Sequence, residues 1–218
     1  MERLTLADEI VVLVLDDSTG EVESTYLPVA DVAIAAGVLM ELALQGRIDT
    51  DLTSLFIVDP APTGDQLLDA FLKEIAAEQE RHSSAWWINE LSQRHTELLP
   101  RVLQRLVAAG ILREEERMFL WVFPHRAYPP VSGREEREAK ARLMSVLFND
   151  EIPEPRDTLL LGLANATGAL SKVLTDEELY KASPRIAAIV RLEEIGRAVG
   201  LVSAQVWDAV ALMSTYPH

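Results

Sequence analysis

Residues Pro28 to Gly46 read PVADVAIAAGVLMELALQG, and this stretch decides the fold. Ile34, Val38 and Leu42 recur at helical spacing within an Ala- and Leu-dominated run, and Gly46 falls where a helix C-cap would place it. The stretch is a helix. Upstream, Leu4 to Leu15 is apolar enough to be buried; Thr5, three residues before Asp8, marks a helix start, yet Ile10 to Leu15 is equally strand-like. Asp16-Asp17-Ser18-Thr19-Gly20 is a turn cluster, because Asp and Ser bond their own backbone and Gly supplies positive φ. Downstream, Arg47 to Thr50 and Ser54 to Val58 read as two short strands. A loop, Pro60 to Gln66, then enters a helix capped by Thr63, with Gln66 reaching back.

Further helices are expected over Ser84 to Gln93, Glu97 to Ala109, Arg134 to Leu147, Asp157 to Leu174, Asp176 to Lys181, Pro184 to Val199 and Ala204 to Met213. Ile111-Leu112 and Met118 to Phe123, around a charged Arg113 to Arg117 turn, suggest a β-hairpin. The fold class is mainly α: one multi-helix globular domain over residues 1–218, with a β-hairpin and short winged-helix-like strands.

Of 218 residues, 49% are hydrophobic and 25% charged, which excludes global disorder. The net charge of −15 disfavours nucleic acid as a partner, since a polyanion would be repelled. With no Cys, disulfides, thiolate nucleophiles and Cys-ligated metals are excluded. His82, His95, His125 and His218 show no i, i+4 pair to seat a metal, and neither a Gly-x-Ser-x-Gly elbow nor a Walker-type phosphate loop occurs. No cofactor and no catalytic residue is expected, and the acids around Glu114 to Glu116 and at Asp49 and Asp51 read as solvated loops. The acidic start lacks the basic stretch of a secretory signal. The apolar runs Ile10 to Leu15 and Val32 to Leu44, the latter broken by Glu41, fall short of the roughly 18 residues of a spanning helix. The protein is read as cytoplasmic, with membrane contact only peripheral, at the inner face.

Two features remain for binding. On a helix running from Arg94 to Ala109, Arg94, Arg101 and Arg105 share one stripe, a modest anion-binding surface; pairing with Glu97 is the blander reading. In the hairpin, alternation leaves apolar residues among Phe119, Leu120, Trp121 and Phe123 on both faces. Such a ribbon fits a bilayer interface, a protein partner, a second copy of the chain, or its own core.

Val38 to Ile48 (Val-Leu-Met-Glu-Leu-Ala-Leu-Gln-Gly-Arg-Ile) and Asp59 to Asp69 (Asp-Pro-Ala-Pro-Thr-Gly-Asp-Gln-Leu-Leu-Asp) resemble the Golgi phosphoprotein 3 family in order and spacing. The likeness continues through Leu4 to Glu9, Leu106 to Leu112 and Pro155 to Leu160, so it covers nearly the whole chain; the Ala- and Arg-rich composition is more like a bacterial, actinobacterial member. The resemblance implies a mostly helical, non-enzymatic peripheral membrane adaptor that binds phosphatidylinositol 4-phosphate. In the family a Trp and three Arg form the headgroup pocket. Here the Trp position falls on Tyr26, and the Arg positions fall on Ala35 and near Thr96 and Leu99. All three cationic ligands are therefore replaced, and a phosphomonoester needs charge-assisted donors. Tyr26, Arg94 and Arg101 are the remaining candidates for an anionic headgroup, and Phe119, Leu120, Trp121 and Phe123 for a membrane or partner contact. The alternative is a winged-helix-like regulatory or protein-interaction module without lipid binding; a hydrolase using paired carboxylates would need two acids converging in one cleft.

Overall fold

The computed structural model describes residues 3–16, 18–51, 53–95, 97–119, 123–149, 153–190 and residue 195. The ambiguity of the first apolar segment is resolved at its N-terminus. Thr5 Oγ1 accepts from the Asp8 amide while the Asp8 carboxylate accepts from the Thr5 amide at 2.9 Å, a reciprocal capping box that starts helix α1 (Leu6–Val14). Every residue of α1 is buried, so it is a core helix rather than an amphipathic surface one. Helix α2 (Ala30–Leu44), entered through a 3₁₀ turn at Leu27–Val29, crosses α1 at close range. The crossing depends on Gly37, where a Cβ would stand 2.8 Å from the Ala7 nitrogen and 2.9 Å from its Cα. The apolar segment Leu27–Leu44 does reach 18 residues, which corrects the shorter span read from the sequence. It is nonetheless enclosed by the other helices, as the core of a water-exposed domain would be.

The remaining elements wrap this pair. Strands β1 (Ile48–Thr50) and β2 (Leu55–Ile57) form an antiparallel ribbon in the register Ile48 to Ile57, followed by α3 (Gln66–Ala77), α4 (Ser84–Arg94) and α5 (Leu98–Ala108). A second antiparallel ribbon joins β3 (Glu115–Phe119) to β4 (Phe123–Ala127). Helices α6 (Arg134–Phe148), α7 (Pro155–Ala166) and α8 (Asp176–Val190) complete the described chain, α6 and α7 packing on α1 and α7 also on α2. The architecture is mainly α, as expected.

Several local expectations are corrected. The cap of α3 is Asp65, whose carboxylate accepts from the Leu67 and Leu68 amides at 2.8 and 3.1 Å; Thr63 instead donates to Asp69. The charged run Arg113 to Arg117 is not the hairpin turn: Glu115, Glu116 and Arg117 lie within β3, paired with Ala127, Arg126 and His125 of β4. A single helix from Arg94 to Ala109 does not form, because α4 ends at Arg94 and His95, at φ −102° and ψ 72°, leaves the helical region before α5. Helix α7 starts at Pro155, a residue suited to a first helical position, and ends before Gly168, with a 3₁₀ turn Ala169–Lys172 beyond. Helix α8 runs straight through Pro184. Proline has no amide to bond the Tyr180 carbonyl, and the Ser183 hydroxyl donates to it at 2.8 Å instead. The expected Ala204 to Met213 helix lies outside the described residues.

Candidate functional site

The hairpin is built as a charged stem leading to an apolar end. Arg113 pairs with Glu115 at 2.8 Å, Arg117 with Glu115 at 3.1 Å, and Arg126 with Glu114 at 3.1 Å. Arg113, Arg126 and Glu114 are exposed and Glu115 and Arg117 half-buried, so each pair is of small energetic weight. Phe119 and Phe123 face each other across the last described rung, and the intervening sequence is Leu120-Trp121-Val122. Leu120 and Trp121 lie outside the described residues. Among the described residues, β3 and β4 pack extensively only on each other. The two legs stay paired below the stem, where Ile111 and Leu112 are buried in the core: Leu112 bridges Pro130, Arg113 N donates to Pro129 O at 3.0 Å, and Val131 N donates to Ile111 O at 2.9 Å.

The anion candidates do not converge. Tyr26 is only 4% exposed, and its hydroxyl is 3.0 Å from Ser171 Oγ. Arg94, at the end of α4, is held at 2.5 Å by Glu90 and faces Glu74 at 3.9 Å. Arg101 is exposed on α5, a different helix. Arg105, the third member of the expected stripe, turns inward: it donates to Asp8 and Thr5 of the α1 cap and, at 2.8 Å, to Asp65 of the α3 cap.

The positions that the family resemblance assigns to headgroup arginines are equally informative. Ala35 is fully buried and Thr96 lies outside the described residues. The Leu99 amide, in the first turn of α5, donates at 3.0 Å to the Asp31 carboxylate, which burial pushes above its ordinary pKa. An acid of the chain itself therefore takes the amide that an anionic ligand would seek.

A buried ionic assembly escaped the sequence reading altogether. Arg156 of α7 contacts both Glu41 oxygens (3.1 and 3.0 Å) and the Leu4 carbonyl, with Glu9 Oε2 3.6 Å away. Glu41 also accepts from the Leu6 amide at 3.0 Å, and Arg142 joins Glu9 to Asp157. Desolvation raises the Glu9 pKa, against the opposing pull of Arg142 and Arg156. Two clefts flank this assembly on either side of Arg3 and Leu4. One, of about 510 Å³, is lined by Asp8, Glu41, Asp65 and Arg105; the other, of about 600 Å³, by Glu9, Arg134, Glu138 and Arg142. In the first, Arg105 is joined to Asp8 and Asp65, and Glu41 to Arg156 behind it, an arrangement that braces helices, while Arg3 lines both clefts. Among the described residues no three His, Asp or Glu side chains cluster to hold a metal.

Comparison with known proteins accords with this architecture. Vacuolar protein sorting-associated protein 74 of Schizosaccharomyces pombe is 28% identical over 165 residues, covering 66% of this chain and 48% of that protein. The chain thus spans about half the length of the relative it matches. The description of the Golgi phosphoprotein 3 (GPP34) family fits residues 6–211, from the first residue of α1 to beyond α8. The chain belongs to the Golgi phosphoprotein 3 family.

Proposed function

We propose that this protein is a non-enzymatic adaptor, peripheral to a membrane, that docks through the β3–β4 hairpin and without a phosphatidylinositol 4-phosphate headgroup pocket. The observation that carries the reading is the hairpin itself: among the described residues its strands pack extensively only on each other, above the buried Ile111 and Leu112, with charged pairs along the stem, and the sequence that joins the strands, Phe119 to Phe123, is apolar. Apolar aromatic ends are favoured at a bilayer interface, and Arg113, Arg117 and Arg126 lie close enough in the stem to exchange Glu114 and Glu115 for lipid phosphates. Against headgroup recognition stand Ala35, Leu99 and the Asp31 carboxylate on the α5 amide. The net charge of −15, the placement of Arg94 and Arg101 on different helices and the pairing of Arg105 with Asp8 and Asp65 weaken the alternative of a nucleic-acid-binding regulator.

The test is co-sedimentation with vesicles of neutral lipid, of neutral lipid with phosphatidylserine, and of neutral lipid with phosphatidylinositol 4-phosphate at matched charge. Pelleting with both anionic vesicles to the same extent, lost in the Phe119→Ser, Trp121→Ser double variant, is the expected result. No pelleting with any vesicle overturns the membrane reading. A clear preference for phosphatidylinositol 4-phosphate overturns the missing pocket. A chain whose size in solution falls on the same double substitution, without vesicle binding, would make the hairpin a contact between copies.

A further inference from the structure

Where β4 leaves the hairpin, the chain meets the turn that follows α1. The turn after α1 is closed on itself: Gly20 N donates to Asp16 O at 2.8 Å, Asp16 N donates to Glu21 O at 2.8 Å, and the Asp16 carboxylate accepts from the Ser18 and Thr19 amides. Those bonds hold the Asp16 pKa below its ordinary range and tie the described residues of the turn into one block. Leu15 bridges Val22 behind it, and Lys172 Nζ, reaching from the 3₁₀ turn after α7, donates to Leu15 O at 2.7 Å and to Glu23 at 2.6 Å. The block is thereby pinned to the body from two sides.

Gly20 closes the turn and is buried, and the residue that leaves β4 lies directly on it. Tyr128 N donates to Gly20 O at 2.6 Å. At Gly20, φ is +68°, and a Cβ built there would stand 2.6 Å from both Pro129 Cα and the Tyr128 carbonyl carbon, and nearer still to the Pro129 nitrogen. The close neighbours are backbone atoms, which cannot rotate aside as a side-chain end would. Only glycine permits both the backbone conformation and the approach.

We propose that Gly20 is a positioning residue for docking: the Asp16–Gly20 turn forms a clasp on Tyr128-Pro129 that holds the hairpin stem at a fixed angle to the body. The proposal rests on the hairpin being the docking element. A freely hinged ribbon would bring its apolar end to a surface in many orientations of the body, whereas a clasped one docks with a single face of the helical domain presented, and loses less freedom in doing so.

The experiment compares Gly20→Ala with Gly46→Ala, by hydrogen exchange of the 113–127 segment and by sedimentation with phosphatidylserine vesicles. Gly46 has a nearly equal φ of +66° but nothing within 4 Å of its Cβ position, so it reproduces the backbone strain without the clash. The clasp predicts stem amides exchanging about tenfold faster in Gly20→Ala, loss of pelleting, and α2 amides still protected, with neither the stem nor the pelleting changed in Gly46→Ala. An unchanged stem in Gly20→Ala overturns the clasp. A loosened stem with full pelleting overturns its role in docking. If Gly20→Ala exposes the α2 amides as well, Asp16→Ala decides, because it slackens the same turn without adding bulk: a loosened stem supports the clasp and an unchanged one overturns it. Should the unaltered chain bind no vesicle, the docking reading falls while the exchange data still judge the clasp.

Discussion

Replacing Arg156 by Met tests whether the buried ionic assembly is what holds α7 to the two central helices. The Arg156 side chain is 9% exposed and its partners Glu41 and Glu9 are 8% and 7% exposed, so no water stands ready to replace it. Its removal strands a Glu41 carboxylate left with the Leu6 amide and a 3.4 Å contact from Gln45, and leaves the Leu4 carbonyl without this donor. Breaking a buried pair by deleting one partner costs about 3–5 kcal/mol. In a domain of this size each kcal/mol shifts Tm by roughly 2–4 °C, so a fall of roughly 6–20 °C is expected at pH 7. Adding Glu41→Gln to Arg156→Met removes the stranded charge and should recover about half of that loss, since an apolar or neutral replacement of the whole pair is commonly close to neutral. The pH dependence has a definite sign. Burial already raises the Glu9 pKa in the folded state, and losing Arg156 removes one of the charges that lowers it. The folded variant therefore binds that proton more tightly than the unfolded chain, and its deficit shrinks as pH falls from 7 toward the carboxylate range. Thermal and urea melts followed by helical circular dichroism at pH 7 and pH 5 give the answer. A variant within about 1 kcal/mol of the parent, or a double variant no better than the single one, would refute the argument.

Two further outcomes follow from the caps and turns. Asp65→Ala should lower stability by about 1–2 kcal/mol, because it uncaps α3 and frees Arg105, whereas Thr63→Ala should cost less; equal urea midpoints would return the cap to Thr63. Acid stability should fall as pH drops below the ordinary carboxylate range: Asp51 is held down to about 2 by Thr53 and Ser54, and Asp16 and Asp69 are likewise lowered by their turn bonds. A depressed folded pKa gives stability that is present above the unfolded value and lost as pH falls through the folded one, so Asp51→Asn should flatten the acid limb of the melt between about pH 4 and 2.

What the sequence made legible was whatever is decided within a turn or two of chain. The Thr5–Asp8 box, the Gly46 stop and the β1–β2 ribbon are local bargains between neighbouring side chains and backbone, and they are where they were expected. The α4–α5 break was legible in the separate helices expected over Ser84 to Gln93 and Glu97 to Ala109; only the arginine stripe that carried Arg94 into the second helix ran across it, and the His95 backbone interrupts that stripe. The charged run was read as the hairpin turn because five consecutive charged residues resemble a solvated loop; instead three of them enter β3, and the run finds partners on the ribbon itself, as Glu114 does with Arg126. The ionic assembly was beyond reach for a different reason. Arg105 meets Asp8 across 97 positions, Arg156 meets Glu41 across 115 and Arg142 meets Glu9 across 133, distances over which no local pattern carries information.

Those same long-range pairs explain why the family likeness is scattered over five separate segments and yet says little about a ligand. Leu4 to Glu9 supplies the α1 cap and Glu9; Asp59 to Asp69 supplies Asp65; Arg105 immediately precedes Leu106 to Leu112; Val38 to Ile48 supplies Glu41; and Pro155 to Leu160 supplies Arg156 and Asp157. Every one of the matching stretches thus contributes to, or adjoins, a guanidinium hub that braces the helices. A buried charge tolerates no independent replacement of its partner, so residues joined this way must be kept or lost together, whatever the protein binds. The positions around Tyr26, Ala35 and Leu99 and the apolar end of the hairpin are outside that constraint. Differences in function among proteins sharing this scaffold are therefore expected to reside in those positions and in the hairpin, and in this chain they point away from a phosphate pocket and toward the ribbon.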